Sequence, residues 1–293
     1  MHIINSYRRD DFKENYIIDS KKFLFTKRSD KIKLKIILYF YKMIKMELMK
    51  NYGIGYHTKK EKTLVKTIES LPVTYIPYQV FLGSPKTFQI SISEEDLQKS
   101  YELLHKRKIS LFVHSPYVIN LSKENSHETL IKNLEYAKKA NCKGVVVHTG
   151  KYTTQSESKA IEIMYENLSK SIDYATEDCP ILLETPSGQG TETLTECELF
   201  FDFVQRFDKR VSICIDTCHV FASGYKDPLL YIKYIHKKDP TLIKLIHFND
   251  SKGDCSSCVD RHEIIGDGKI GLDVLENIAI FCKENNYPMV YEG

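Results

Sequence analysis

From residue 52 onward, short β-rich runs that end in polar residues alternate with amphipathic helical stretches, an order that drives a chain toward a parallel sheet. Eight runs read as buried strands: YGIGYH (52–57), YIPYQVF (75–81), SLFVHSPY (110–117), GVVVHTG (144–150), ILLETP (181–186), VSICIDTCH (211–219), LIKLIHFND (242–250) and PMVYEG (288–293). Between them the helical period is visible: Leu130, Leu134 and Ala137 share one face, as do Ile161, Met164, Leu168, Ile172 and Ala175. Ser93 with Asp96 and Thr195 with Glu198 have the spacing of capping boxes, and Pro228 suits a helical first turn. Eight strands with seven crossovers predict a (β/α)8 TIM barrel over residues 51–293, because closure at eight buries both faces and leaves no edge.

Residues 1–50 do not join this rhythm and are expected to form a basic N-terminal extension, partly helical or disordered. They hold 13 Lys and Arg against 6 Asp and Glu, a balance of +7, whereas the remainder holds 29 against 33, or −4. Such a segment attracts a polyanion or is simply a solvated face. Leu34, Ile37, Leu38, Tyr41, Ile44 and Leu48 recur at helical spacing there. The longest apolar run of the extension, Ile36 to Tyr41, is far short of the roughly 20 residues that span a bilayer. The first residues, MHIINSYRRDDFKE, match neither a secretory signal nor a transit peptide, so an intracellular protein of cytoplasm or nucleus is expected. Its eight scattered cysteines are then expected to be free thiols.

In a parallel barrel the active site forms at the carboxyl ends of the strands. Here those ends carry His114, His148, Glu184, Asp216 with His219, His247 and Glu292, and the loop after the seventh run adds Asp260 and His262. A lone histidine after a strand is usually structural, and a lone carboxylate is usually a cap or an ion-pair partner. Nine such groups at one mouth would repel one another unless cations bound between them. Mixed imidazole and carboxylate donors suit zinc or a neighbouring transition ion. Nine exceed what one four-coordinate ion needs, so two or three ions are implied, an arrangement suited to phosphodiester hydrolysis.

These residues sit in blocks that resemble the endonuclease IV family of abasic-site endonucleases. The blocks are FVHSPYVINL (112–121), VVHTG (146–150), LLETPSGQG (182–190), CIDTCHVFASGY (214–225), IHFNDSK (246–252) and VDRHEIIGDGKIG (259–271). The resemblance covers residues 52–293. It implies three zinc ions, with manganese as an alternative: His114 and His148 on the first, Glu184 bridging to the second, Asp216, His247 and Glu292 completing the second, and His219, Asp260 and His262 on the third. It further implies cutting of double-stranded DNA 5′ to an abasic site, leaving a 3′-hydroxyl and a 5′-deoxyribose phosphate, and trimming of blocked 3′ ends; a monomer is expected. Glu184 and Glu292 are the implied catalytic carboxylates, Glu292 orienting the attacking oxygen.

By the same resemblance Tyr117 and Val118 fill the gap left by the missing base, and Lys86 stands where an arginine is usual, a weaker stacking and forking group. Gly188, Gln189 and Gly190 form either a close-approach loop for DNA or a plain turn, and Lys252 and Arg261 contact phosphates or pair with local acids. His57 ends the first run and is expected to support the site rather than bind metal. Cys255 and Cys258 depart from the family pattern; a lone CxxC lacks the second pair of a structural zinc site, which weighs against a further metal or redox role. Two rival readings are a barrel sugar isomerase or epimerase with a divalent metal site, and a non-catalytic DNA- or metal-binding protein that keeps the donor set.

Overall fold

In a computed structural model of the chain, which describes residues 47–72 and 75–293, eight parallel strands close into a barrel. The basic extension up to residue 46 lies outside the described residues. The strands are β1 (Gly55–Thr58), β2 (Pro77–Phe81), β3 (Ser110–His114), β4 (Val145–His148), β5 (Ile181–Glu184), β6 (Val211–Asp216) and β7 (Ile243–His247). A two-stranded antiparallel hairpin, β8 (Asp250–Ser251) with β9 (His262–Glu263), precedes the last barrel strand, β10 (Met289–Tyr291), which pairs with both β7 and β1. Helices α1 (Leu64–Ser70), α2 (Glu94–Arg107), α3 (His127–Lys139), α4 (Glu157–Ser171), α5 (Cys197–Val204), α6 (Thr217–Ala222), α7 (Pro228–Lys238) and α8 (Leu272–Glu284) fill the intervals.

Alternation along each strand splits the core in two. Leu111, Val113, Val145, Val147, Ile181 and Leu183 belong to the large cluster that includes helix residues such as Leu130, Leu134, Met164 and Leu168. Phe112, Val146, Leu182, Cys214, Leu245 and Val290, one from each of six strands, form a separate cluster inside the barrel. Fully burying a leucine or valine side chain stabilises by about 1.5–3 kcal/mol, so this plug also ties the six strands to one another.

The strand edges differ from the runs for local reasons. The first run begins inside a helix of residues 47–52, which ends where Gly53 takes φ +67°. Gly55 then opens β1 against β2; a Cβ there would lie 1.5 Å from the Pro77 carbonyl oxygen. Ser93 caps α2 by accepting from the Asp96 N–H, but the Asp96 carboxylate does not return to Ser93. It accepts instead from the backbone N–H groups of Leu64 and Val65 at the start of α1. Thr195 is not a cap: α5 starts after Glu196, which makes no side-chain cap bond, and the Tyr225 hydroxyl accepts from the Cys197 N–H. Pro228 does open α7, behind an Asp227 cap. The face of α4 outruns its helix, which ends at Ser171, so Ile172 lies in a 3-10 turn and Ala175 is extended. All eight cysteines are free, and among the described residues no helix is long and apolar enough to cross a membrane.

Candidate metal centre

The same alternation places the chemistry. Each residue of the inner apolar cluster is followed two positions later by a polar group on the same side of its strand: Phe112 by His114, Val146 by His148, Leu182 by Glu184, Cys214 by Asp216, Leu245 by His247 and Val290 by Glu292. The plug thus forms the floor of a ring of imidazoles and carboxylates. Asp216 ends β6 and caps α6, its Oδ1 accepting from the His219 N–H at 2.9 Å, so that the helix brings His219 to the same mouth. The hairpin after β7 folds back to bring His262 and, just before it, Asp260.

The nine expected groups come together in three sets whose donor atoms lie within 4.8 Å of one another: His114, His148 and Glu184; Glu184, Asp216, His247 and Glu292; and His219, Asp260 and His262. Cys218, which sequence reasoning passed over, forms a further set with Asp216 and His262. Glu184 Oε2 lies 3.3 Å from His114 Nε2 and 3.2 Å from His148 Nε2, yet it is buried without a hydrogen bond, and so is His219 Nε2. Buried polar atoms that converge without pairing are the arrangement a shared cation satisfies, and the imidazole and carboxylate donors suit zinc.

The outward ring nitrogens are anchored, which aims the inward ones. His114 Nδ1 donates to the Ser115 carbonyl at 2.7 Å and His219 Nδ1 to the Thr185 carbonyl at 2.9 Å. Electrostatics follow from the crowding. Burial pushes the Glu184 carboxyl up, but the nearby His148 and His247 imidazoles, with His114 and the hydrogen bond from His247 Nδ1, hold it well below the usual carboxylate range. Burial likewise opposes charge on His219, but Asp216 and Asp260 carry it well above the ordinary imidazole range. His57 and His148 go the other way, lowered chiefly by burial.

Glu292, near the carboxyl end of the chain, is firmly held. Gln79 Nε2 donates to its Oε1 at 2.8 Å, Asn249 Nδ2 donates to its Oε2 at 3.0 Å, and its backbone N–H donates to Asn249 Oδ1 at 3.1 Å. Gln79 and Asn249 were both missed from sequence. The signal for Asn249 was its place two residues after His247; for Gln79 it was an amide in the middle of a strand otherwise read as apolar. His57 lies beside Glu292, at 3.3 Å, and joins none of the donor sets.

Above the donors opens a cavity of about 410 Å3 whose lining includes Tyr117, Gln189 and Arg261, together with Lys151 and Glu192, also passed over. Glu192 Oε2 accepts from the backbone N–H groups of Ser187 and Gln189, fixing the glycine-flanked loop in which Gly188 and Gly190 take φ +80° and +67°, and Gln189 Oε1 accepts from the Asp260 N–H. Lys151 pairs with Glu192 at 3.2 Å. The loops after β2 and β3 are joined by the Tyr117 N–H donating to the Pro85 carbonyl, and Tyr117, Val118 and Lys86 stand exposed on that rim. Lys252 is exposed on the hairpin. Cys255 is half-buried and Cys258 exposed, and among the described residues neither joins a set of metal-capable donors.

Comparison with known proteins agrees with this architecture. The family described as xylose isomerase-like TIM barrel matches residues 68–287. Among curated relatives, a protein named probable endonuclease 4 from Mycoplasma mobile is 33% identical over 225 residues, spanning 73% of this chain and 80% of the relative. Among solved structures, endonuclease IV from Thermus thermophilus superposes with a TM-score of 0.70 at 24% identity, over 82% of this chain and 91% of that one. A D-tagatose 3-epimerase-like protein shares the fold at a TM-score of 0.61 and 19% identity, over 82% and 90%. At those identities the two structures speak for the fold alone, and it is the sequence match, along nearly three quarters of the chain, that shows the chain to belong to the endonuclease IV family.

Proposed function

We propose that this chain is a metal-dependent DNA endonuclease that hydrolyses the phosphodiester 5′ to an abasic site, leaving a 3′-hydroxyl and a 5′-deoxyribose phosphate, and that also trims blocked 3′ ends. The observation that carries this reading is the convergence of nine donor side chains in three sets, two of them sharing Glu184, beneath an open, partly aromatic rim. His114, His148 and Glu184 would hold one zinc; Glu184, Asp216, His247 and Glu292 a second; His219, Asp260 and His262 a third. When bound, such ions activate water near neutral pH and offset charge on the oxygens of an in-line displacement.

The protein's own part is positioning. Asn249 and Gln79 brace the Glu292 carboxylate from two sides, so that it can hold a nucleophilic water in line with phosphorus. Tyr117 stands edge-on to Phe81, His114 and His148, with ring centroids 5.1, 5.4 and 5.8 Å away, so its exposed ring is a firm wedge at the lip of the site. An abasic nucleotide has no base to unstack, and turning it outward past Tyr117 and Val118 costs little. Lys86, Gln189, Lys252 and Arg261 supply the polar and cationic contacts to the backbone. A wedge exposed on a rim suits a duplex better than a sugar enclosed in a pocket.

The test is a duplex carrying one abasic analogue, incubated with zinc-loaded protein. Incision 5′ to the lesion is expected, and Glu184→Ala or His114→Ala should abolish it. Intact duplex after hours at stoichiometric enzyme would sink the assignment, and fewer than two metal ions per chain would favour a sugar isomerase or epimerase.

A further inference from the structure

Gln79 occupies an inward position of β2, paired in register with His57 on one side and with Phe112 of the apolar plug on the other. It is fully buried, and an amide at that depth is costly unless its donors and acceptor are met. All of them are met, by groups of the metal centre. Its Oε1 lies 2.9 Å from His247 Nε2, and its Nε2 lies 2.8 Å from Glu292 Oε1 and 2.9 Å from His57 Nδ1. The reverse amide orientation would set an oxygen against the Glu292 carboxylate, so the nitrogen must face the acid and the oxygen must face the imidazole. The second amide hydrogen then reaches His57 Nδ1, an acceptor in a neutral ring. Because Nδ1 cannot donate while it accepts, the longer 3.3 Å approach of His57 Nδ1 to Glu292 Oε1 is left as a contact.

The consequence falls on His247. His114, His148, His219 and His262 all turn Nε2 toward the carboxylates of the centre, at 3.1–3.6 Å from the nearest Glu184, Asp216 or Asp260 oxygens. His247 alone of the five turns Nδ1 inward, 2.8 Å from Glu184 Oε1 and 3.3 Å from Glu292 Oε2. A ring nitrogen can give its lone pair to a cation only if the proton resides on the other nitrogen, and the group that receives that proton's hydrogen bond selects the tautomer.

We infer that Gln79 is a positioning residue of the metal centre: its amide oxygen keeps the proton of His247 on Nε2, and its amide nitrogen engages Glu292 Oε1, so that His247 Nδ1 and Glu292 Oε2 face one divalent cation. This rests on the metal-centre reading above but not on abasic-site cleavage. One side chain therefore couples two donors of the second set, which lie 45 residues apart in the chain.

The experiment compares zinc-loaded wild-type protein with Q79L, Q79M and Q79E. Readouts are zinc affinity by chelator competition, 15N-histidine NMR of the His247 ring, and kcat and KM on an abasic duplex. In Q79L and Q79M one zinc per chain should bind about 10–100-fold more weakly, the Nε2–H signal of His247 should be lost to exchange, and kcat should fall while KM stays near wild type. Q79E keeps an acceptor for His247 but opposes a second acid to Glu292, so the Nε2–H signal should survive while zinc affinity falls. Q79M matches the length of the native side chain and serves if Q79L does not fold. Unchanged zinc affinity and an unchanged His247 spectrum in Q79L or Q79M would overturn the inference. If wild-type protein binds zinc in a Gln79-dependent way yet leaves the abasic duplex intact, the nuclease reading fails and this one stands.

Discussion

Asn249 serves the site with both ends of one amide. Its Nδ2 donates to Asp216 Oδ2 at 2.7 Å and to Glu292 Oε2 at 3.0 Å, and its Oδ1 accepts from the Glu292 N–H. Asn249→Leu keeps the volume but frees both carboxylates, so nicking should fall about 10–100-fold, with circular dichroism unchanged. Wild-type nicking by that variant would remove Asn249 from the machinery. Protonation acts at the same scale. Burial disfavours charge on His247, but Cys214, Glu292 and Glu184 carry it well above the ordinary imidazole range, as Asp216 and Asp260 do for His219. A cation must displace the protons that this upward shift favours, so zinc affinity should rise from pH 6 to pH 8. Equal affinities at the two values in chelator competition would contradict that sign. The donors that come together were legible because each is an imidazole or carboxylate at a strand end or in the loops that follow. Asn249 and Gln79 were not, because an amide has no chemistry of its own to announce, and its partners lie elsewhere in the chain.

The hairpin after β7 depends on one buried carboxylate. Asp250 accepts backbone N–H groups from Ser251, Gly266, Gly268 and Ile270 at 2.8–3.1 Å, gathering the following loop under the hairpin that carries His262. Gly268 approaches so closely that a Cβ would lie 2.4 Å from Asp250 Oδ1. Asp250→Ala leaves buried donors unpaired and should cost about 1–3 kcal/mol in urea unfolding. It should also lower zinc content by one ion per chain, because Asp260 and His262 lose their support while the other two donor sets do not. Full zinc content in a destabilised variant would confine Asp250 to stability. The helices show how far local signals reach. The Ser93 cap was readable from its spacing, but Asp96 capping α1 was not, since that bond depends on α1 and α2 lying side by side.

At the scale of the barrel, the metal centre is also a clasp: donors from β3, β4, β5, β6, β7 and the residue after β10 meet at one point. Cations bound there would favour the folded chain over the unfolded one, so free zinc at about 1000 times its Kd should add about 4 kcal/mol of stability. Chelation should therefore lower the melting temperature and abolish nicking together, and zinc should restore both; a melting temperature indifferent to chelation would show that the strands close without help from the centre. The sequence by itself determined the barrel and the donors it presents, because alternation along a strand and the recurrence of strand and helix are local properties of the chain. Only the tertiary structure decided which donors share a set, that Gln79 and Asn249 brace Glu292, and that His247 turns Nδ1 inward. Those are relations between residues tens to hundreds of positions apart, and their distances exist only once the barrel closes.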